Sequence, residues 1–374
     1  MSHGAILPRY TPGVPPSPAG RLLEWFRSSA RELPWRTPFP RDPYAVLVSE
    51  VMAQQTRLER VVPTFVRFVK RFPSVHALAA ANHEDVLHAF SGLGYYRRAR
   101  LLHDAARSIS ERGAWPTTAA ELRALPGFGP YTAAAVAALA FGGDEPPVDG
   151  NIARVAARLH AVPLALGSGP LLKEARLAAA ALYADVPTPQ VWEGLMELGA
   201  TVCTPTSPRC DSCPLAPDCA GRAAGTPSAF PLPRVKRARE GQRWAAVWLE
   251  RRDGCVLLRR VDHGPLLVGL WLPPFSVVAG RSAAGDAART LARDAGLDVP
   301  LTRAATVKHG ITHRDIDVLP FVGAVRRMRV AEVRDGWSWQ NPRAPRVPTS
   351  SLLAKLADAC SPPAGIEPTI ESET

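Results

Sequence analysis

Along the first 220 residues, apolar positions recur at helical spacing. Leu22, Trp25 and Phe26 place one apolar side on a helix over residues 21–31. Tyr44, Leu47, Val48, Val51 and Met52 fall at i, i+3, i+4, i+7 and i+8, which predicts an amphipathic helix over 44–61. Further helices are expected over 62–72, 75–90, 97–112, 151–162 and 171–186, and another opens at Thr188-Pro189 and carries Glu193 and Glu197. Leu33-Pro34-Trp35-Arg36 is an extended break, and Gly92-Leu93-Gly94-Tyr95-Tyr96 interrupts the pattern again. Thr118 with Glu121 makes a capping box.

After residue 243 the period changes from helical to alternating. A β run covers 244–249, Asp253-Gly254 signals a hairpin turn, and 256–258 is the return strand. A helix is expected over 283–295, and Ile316, Val318, Pro320, Phe321 and Val322 form a further strand. The expected organisation is multi-domain. A loose lead occupies 1–19, an all-α domain 20–220, a basic linker 221–243, a smaller α+β domain 244–360, and a flexible tail 361–374.

Residues 125–151, LPGFGPYTAAAVAALAFGGDEPPVDGN, hold the most chemistry for their length. Gly127 and Gly129 bracket Phe128, and Gly129 followed by Pro130 is a sound helix start. Backbone N–H groups at such a start suit a phosphate. The same segment ends on Asp149, Gly150 and Asn151, so it offers an anion grip at one end and a carboxylate at the other. Taken alone, it would be an ordinary helical hairpin with a loop aspartate.

The bulk numbers narrow the choice. The chain has 374 residues, 46% of them hydrophobic, which is enough for two cores. Its formal net charge of +11 favours a polyanionic partner, nucleic acid before a membrane surface. No run has the apolar length of a membrane span, and the N-terminus lacks the form of a secretory signal, so a cytoplasmic location is expected. Four of the six cysteines, Cys203, Cys210, Cys213 and Cys219, crowd into seventeen residues, whereas Cys255 and Cys360 stand alone. Crowding of this kind without a secretion signal argues for metal rather than disulfides. The spacing C-x6-C-x2-C-x5-C has one close pair with wide flanks, which fits four thiolates around an iron–sulfur cluster better than a two-knuckle zinc ribbon.

With that spacing, the sequence resembles the helix–hairpin–helix DNA glycosylases that carry a [4Fe–4S] cluster. Within them it is most similar to the adenine DNA glycosylase (MutY) family. The resemblance rests on LPWR at 33–36, SEVMAQQT at 49–56, GLGYY at 92–96, LPGFGPYTA at 125–133, VDGN at 148–151 and ELGATVC at 197–203. It covers roughly residues 20–345.

Cleaving the bond between adenine and deoxyribose needs a proton for the leaving base and negative charge beside the sugar cation. Glu50, on the edge of an apolar helix, is the candidate acid, and burial would raise its pKa. Asp149 is the candidate ionised partner. The resemblance implies that Glu50 protonates adenine at N7, that Asp149 stabilises the cation or bonds it transiently, and that Asn151 hydrogen-bonds to these groups. Tyr131 stands where related endonuclease III-type enzymes have a lysine that forms a Schiff base, and a phenol forms no imine. A monofunctional glycosylase is therefore expected.

Because adenine inside a duplex is inaccessible, the base must flip into a pocket. The resemblance puts Leu33, Trp35, Arg36 and Glu193 around it. It puts Gln54, Gln55, Thr56, Leu93 and Tyr95 on the opposite strand, and a phosphate grip at Gly127 and Gly129. The C-terminal domain resembles the MutT-like (Nudix) module that ends this family and senses 8-oxoguanine opposite adenine. The family's Phe-Ser-His loop reads Ile311-Thr312-His313 here, and no glutamate-dense metal helix is present over 289–296. The expected partner is duplex DNA carrying A:8-oxoG or A:G mispairs, bound by a monomer with no membrane partner. Two rivals remain, namely an endonuclease III-like glycosylase/lyase for oxidised pyrimidines and a catalytically silent iron–sulfur DNA-binding protein.

Overall fold

Caps written into the sequence set most of the helix ends. Ser17 caps α1 (Pro18–Ser29) and Asp42 caps α2 (Pro43–Ala53), each followed by proline in the first turn. The computed structural model describes residues 16–94, 96–234, 238–280, 282–325 and 335–360. Most of the lead at 1–19 and the whole tail at 361–374 lie outside the described residues, as does Tyr95. Pro18 and Ala19 are a correction to the loose lead, because the Ser17 hydroxyl accepts from Gly20 N and starts a helix there.

Two predicted helices break. The helix expected over 44–61 ends at Ala53, and α3 (Leu58–Arg71) begins after a turn. Gln55 takes a left-handed φ of 54°, and the Thr56 hydroxyl bonds back to the Gln54 carbonyl at 3.2 Å. Gln54, Gln55 and Thr56 therefore lie in a turn rather than on a helix face. The helix expected over 75–90 is likewise two helices, α4 (Val75–Ala79) and α5 (His83–Ala89), because Asn82 caps the second through Glu84 N. Apolar spacing runs through both breaks, but local side-chain-to-backbone bonds win.

Next come α6 (Arg97–Arg112), α7 (Ala119–Leu122) with the expected Thr118–Glu121 capping box, and α8 (Pro130–Phe141). They are followed by α9 (Gly150–Leu159), α10 (Gly169–Asp185), α11 (Gln190–Thr201) and the short α12 (Ala220–Ala223).

The chain divides into two units, Met1–Ala80 with Leu101–Lys236, and Ala81–Arg100 with Arg237–Thr374. In the first, Leu22 and Leu23 of α1, Ile152 and Val155 of α9, and Trp192, Leu195 and Leu198 of α11 share one core. Gly199 lets α11 approach closely, since a Cβ there would sit 2.6 Å from the Asn151 Cβ. This contact fixes the start of α9.

The second unit is a mixed sheet. Among the described residues it has eight strands, β1 (Glu240–Arg251), β2 (Val256–Arg260), β3 (Trp271–Leu272), β4 (Phe275–Val278), β5 (Thr302–Arg303), β6 (Val307–Ile311), β7 (Arg314–Val325) and β8 (Trp337–Gln340). The main path runs β3-β2-β1-β7-β5, and β1 pairs with β7 in parallel, Trp244 opposite Val318. On one face Trp244, Ala246 and Trp248 pack with α14 (Ser351–Cys360). On the other Val247 and Leu249 pack with α13 (Ser282–Asp294). Burial on both faces is why 244–249 reads as a continuous apolar run. The α+β expectation for this unit holds. No helix among the described residues is long and apolar enough to cross a membrane.

Candidate active site

The glycine turn before α8 is sterically required. Gly127 has φ of 78°, and a Cβ there would lie 2.6 Å from the Leu101 Cβ. Gly129 caps α8 with no side-chain bond, so first-turn N–H groups are left for an outside acceptor such as a phosphate oxygen. The first turn of α8 also carries Tyr131 and Thr132, both aimed at α2. The Tyr131 hydroxyl donates to Glu50 Oε2 at 2.7 Å, and the Gln54 amide donates to the Thr132 hydroxyl at 3.2 Å.

Glu50 is thus held at the edge of a buried helix. Burial pushes its carboxyl up to about 7, against the Tyr131 hydrogen bond, and the charges of Asp149 and Glu193 push in the same direction as burial. Tyr131 itself is raised well above its ordinary value by burial and by Glu50, so it acts as a donor and not as a phenolate.

Asp149 is the N-cap of α9. Its Oδ1 accepts from Asn151 N at 2.9 Å and Ile152 N at 2.8 Å, and its Oδ2 accepts from the Asn151 amide at 2.7 Å. Burial raises the Asp149 pKa, and these bonds together with the Arg154 charge oppose the rise. Asn151 in turn accepts from Arg154 at 2.9 Å, and Arg154 also donates to the Gly199 and Cys203 carbonyls at 2.7 and 2.8 Å.

Glu193 and Glu197, one turn apart on α11, are only 4% and 1% exposed. Arg41 donates to both Glu193 oxygens at 2.7 and 2.9 Å, and Arg36 reaches Glu193 and Glu197 at 3.1 Å each. Arg31 donates to Glu197 at 2.6 and 3.1 Å. Burial alone would raise Glu197, but the Arg31 bonds and the Arg36 charge hold it below its ordinary value. Trp35 meets the Phe65 ring edge-on with centroids 5.0 Å apart, and Arg36 lies over the Phe26 ring. Leu33, Trp35 and Arg36 are all partly exposed.

The four crowded cysteines line one cavity of about 300 Å³ including its open mouth, with Arg158, Arg209 and Arg222 beside them. Arg158 donates to Cys203 Sγ at 3.3 Å and to the Thr204 and Pro205 carbonyls at 2.7 and 2.8 Å. Four thiols spread around one cavity, with guanidinium charge beside them, fit a larger anionic cluster.

The structure therefore brings Glu50, Tyr131, Asp149 and Asn151 together, with Glu193 near enough for its charge to act on Glu50. Leu93 belongs to the second unit and is buried, 6% exposed. Tyr95 lies outside the described residues. Thr312 and His313 form the turn between β6 and β7, with Thr312 at a left-handed φ of 55° and its hydroxyl 3.4 Å from His313 Nδ1. Sequence reasoning missed Arg31, Arg41, Arg154 and Arg158. The available signal was Glu193 and Glu197 four apart in the otherwise apolar QVWEGLMELGAT, since buried carboxylates require cationic partners.

A family model described as "HhH-GPD superfamily base excision DNA repair protein" matches residues 48–165. The adenine DNA glycosylase of Mycolicibacterium smegmatis is 42% identical over 218 residues, covering 58% of this chain and 73% of that protein. The adenine DNA glycosylase of Homo sapiens is 41% identical over 213 residues, covering 54% of this chain and 39% of that protein. Among solved structures, the MutT protein from Methanosarcina mazei Go1 aligns with 29% of this chain and 82% of its own, at TM-score 0.25 and 15% identity. With an identity of 42% spanning nearly three quarters of a relative, and Glu50, Tyr131 and Asp149 gathered in one site, the chain belongs to the adenine DNA glycosylase family.

Proposed function

We propose that this protein removes adenine mispaired with 8-oxoguanine or guanine, as the glycosylase step of base excision repair. The observation that carries the reading is the carboxyl pair. Glu50 holds its proton to about pH 7, and beside it stands Asp149, whose oxygens accept three hydrogen bonds.

The extrahelical adenine enters between Leu33, Trp35, Arg36 and Glu193. Glu50 gives its proton to N7, the bond from C1′ to N9 breaks, and the bonding electrons leave with the base. The sugar becomes an oxocarbenium-like cation, which the Asp149 carboxylate stabilises until water adds at C1′ and passes its proton to the Glu50 carboxylate left by the first step. Asn151 keeps Asp149 pointed at that position. Tyr131 donates to Glu50 and forms no imine, so the strand stays intact. Backbone N–H groups at Gly127 and Gly129 grip a phosphate, and Gln54, Gln55 and Thr56 face the opposite strand. In the Nudix-like unit Thr312 and His313 read the partner base.

Cys203, Cys210, Cys213 and Cys219 would hold a [4Fe–4S] cluster. When bound, it supplies a rigid anchor for the loop against Arg158, and iron with acid-labile sulfide at about four of each per chain would be measured in protein purified without oxygen.

End-labelled duplexes carrying A opposite 8-oxoguanine, A opposite guanine, or an oxidised thymine test the reading, each with and without hot alkali. Cleavage of the adenine strand only after alkali is expected. Alkali-independent nicking of the oxidised-thymine strand would move the protein to the glycosylase/lyase group. Tight binding with no product would make it a silent binding protein.

A further inference from the structure

Arg41 has no part in the steps above, yet all three of its guanidinium nitrogens are engaged. Its Nε donates to the Thr37 carbonyl at 2.7 Å, and its two terminal nitrogens each donate to one Glu193 oxygen. The flat face lies over the Phe39 ring, 4.3 Å from the centroid. The side chains of Arg41 and Glu193 are 6% and 5% exposed. Such a two-pronged, desolvated clamp fixes the carboxylate in direction as well as in charge.

A carboxylate offers about four acceptor sites. Arg41 takes one on each Glu193 oxygen and Arg36 takes a second on Oε1, which leaves one on Oε2. A base that presents an amino hydrogen can use that site. A base that presents a carbonyl oxygen meets acceptor with acceptor, in a pocket where Arg36 and Arg41 hold the carboxylate still.

We propose that Arg41 is a positioning residue for base specificity, which holds Glu193 as a fixed acceptor so that the pocket takes an amino-bearing purine and turns away a carbonyl-bearing one. The proposal rests on the reading of this site as an adenine pocket. Unmaking a hydrogen bond in a site built for it is a strong way to discriminate, because the site's own polar group is left unpaired by the wrong ligand.

The test uses the full chain and single-turnover excision of three bases opposite 8-oxoguanine: adenine, hypoxanthine, and unsubstituted purine, which has neither group. Arg41→Met and Arg41→Lys are compared with the wild type, with melting temperature and cluster absorbance as checks on folding. Purine reports general changes at Glu50, so the adenine-to-purine and adenine-to-hypoxanthine ratios isolate the amino contact. Both ratios are expected to shrink by roughly tenfold or more in Arg41→Met. Arg41→Lys, with a point charge and no fork, is expected to fall between Arg41→Met and the wild type. Should all three rates fall together, with the ratios of the wild type kept, Arg41 is merely structural and the proposal is overturned. If Arg41→Met does not fold, the same ratios in Arg41→Lys decide it, and wild-type ratios there overturn the proposal. Wild-type protein that releases no adenine at all would overturn the functional reading and this inference together.

Discussion

Glu50→Gln protein excises adenine about 10²–10⁴-fold more slowly than wild type in single-turnover assays, while DNA binding persists. Gln fills the same volume and accepts from Tyr131, but it carries no proton to give. The wild-type rate falls as pH rises above about 7, where Glu50 ionises, and the Glu50→Gln residual rate lacks that limb. Stability declines in the same pH direction. A carboxyl at about 7 in the folded state, against 4.5 unfolded, favours folding fully below pH 4.5 and loses that contribution as pH rises through 7. Glu50→Gln protein therefore melts higher than wild type at pH 8 and about equally at pH 4. Full activity in the folded variant would remove Glu50 from the acid role, and an equal melting temperature at pH 8 would show that its carboxyl is not desolvated.

Asp149→Asn separates two duties that one side chain performs. As N-cap, Asp149 accepts from Asn151 N and Ile152 N. Asn caps a helix about as well as Asp and its amide oxygen keeps both cap bonds, so the start of α9 survives, although the Asn151 amide loses its Oδ2 acceptor. It loses the negative charge beside the sugar, and the chemical step slows by about 10²–10³-fold. Asp149→Ala loses the cap as well, and its stability falls by about 1 kcal/mol. Thermal melting and single-turnover rates on the pair of variants check this. A rate unchanged in Asp149→Asn would show that the carboxylate serves the helix and not the reaction.

Much of this site was legible because its residues stand in short, locally coded devices. The capping box at Thr118, the Gly129-Pro130 start and the chain reversal at Asp253-Gly254 involve neighbours in sequence, so spacing alone exposes them. The helix breaks at Gln55 and Asn82 were hidden because apolar spacing continues through them, and periodicity does not register a single left-handed residue or a capping amide. Arg41 was hidden for a different reason. It sits 152 residues before Glu193, in a proline-rich stretch with no periodicity, and only the fold joins the two. Asp149 was placed near a helix start, but its three accepted hydrogen bonds and their effect on its proton needed coordinates.

The buried ion network on α11 also divides the enzyme's response to ionic strength. Mobile ions screen charges that face water, and they do not enter between Arg41 and Glu193, whose side chains are 6% and 5% exposed. The surplus cationic charge of the chain, +11 formally, meets DNA phosphates through counterion release, which weakens steeply with salt. Added salt thus acts on capture of the duplex and leaves the pocket's internal field unchanged. With DNA kept saturating, the excision rate stays level across a salt range over which affinity collapses.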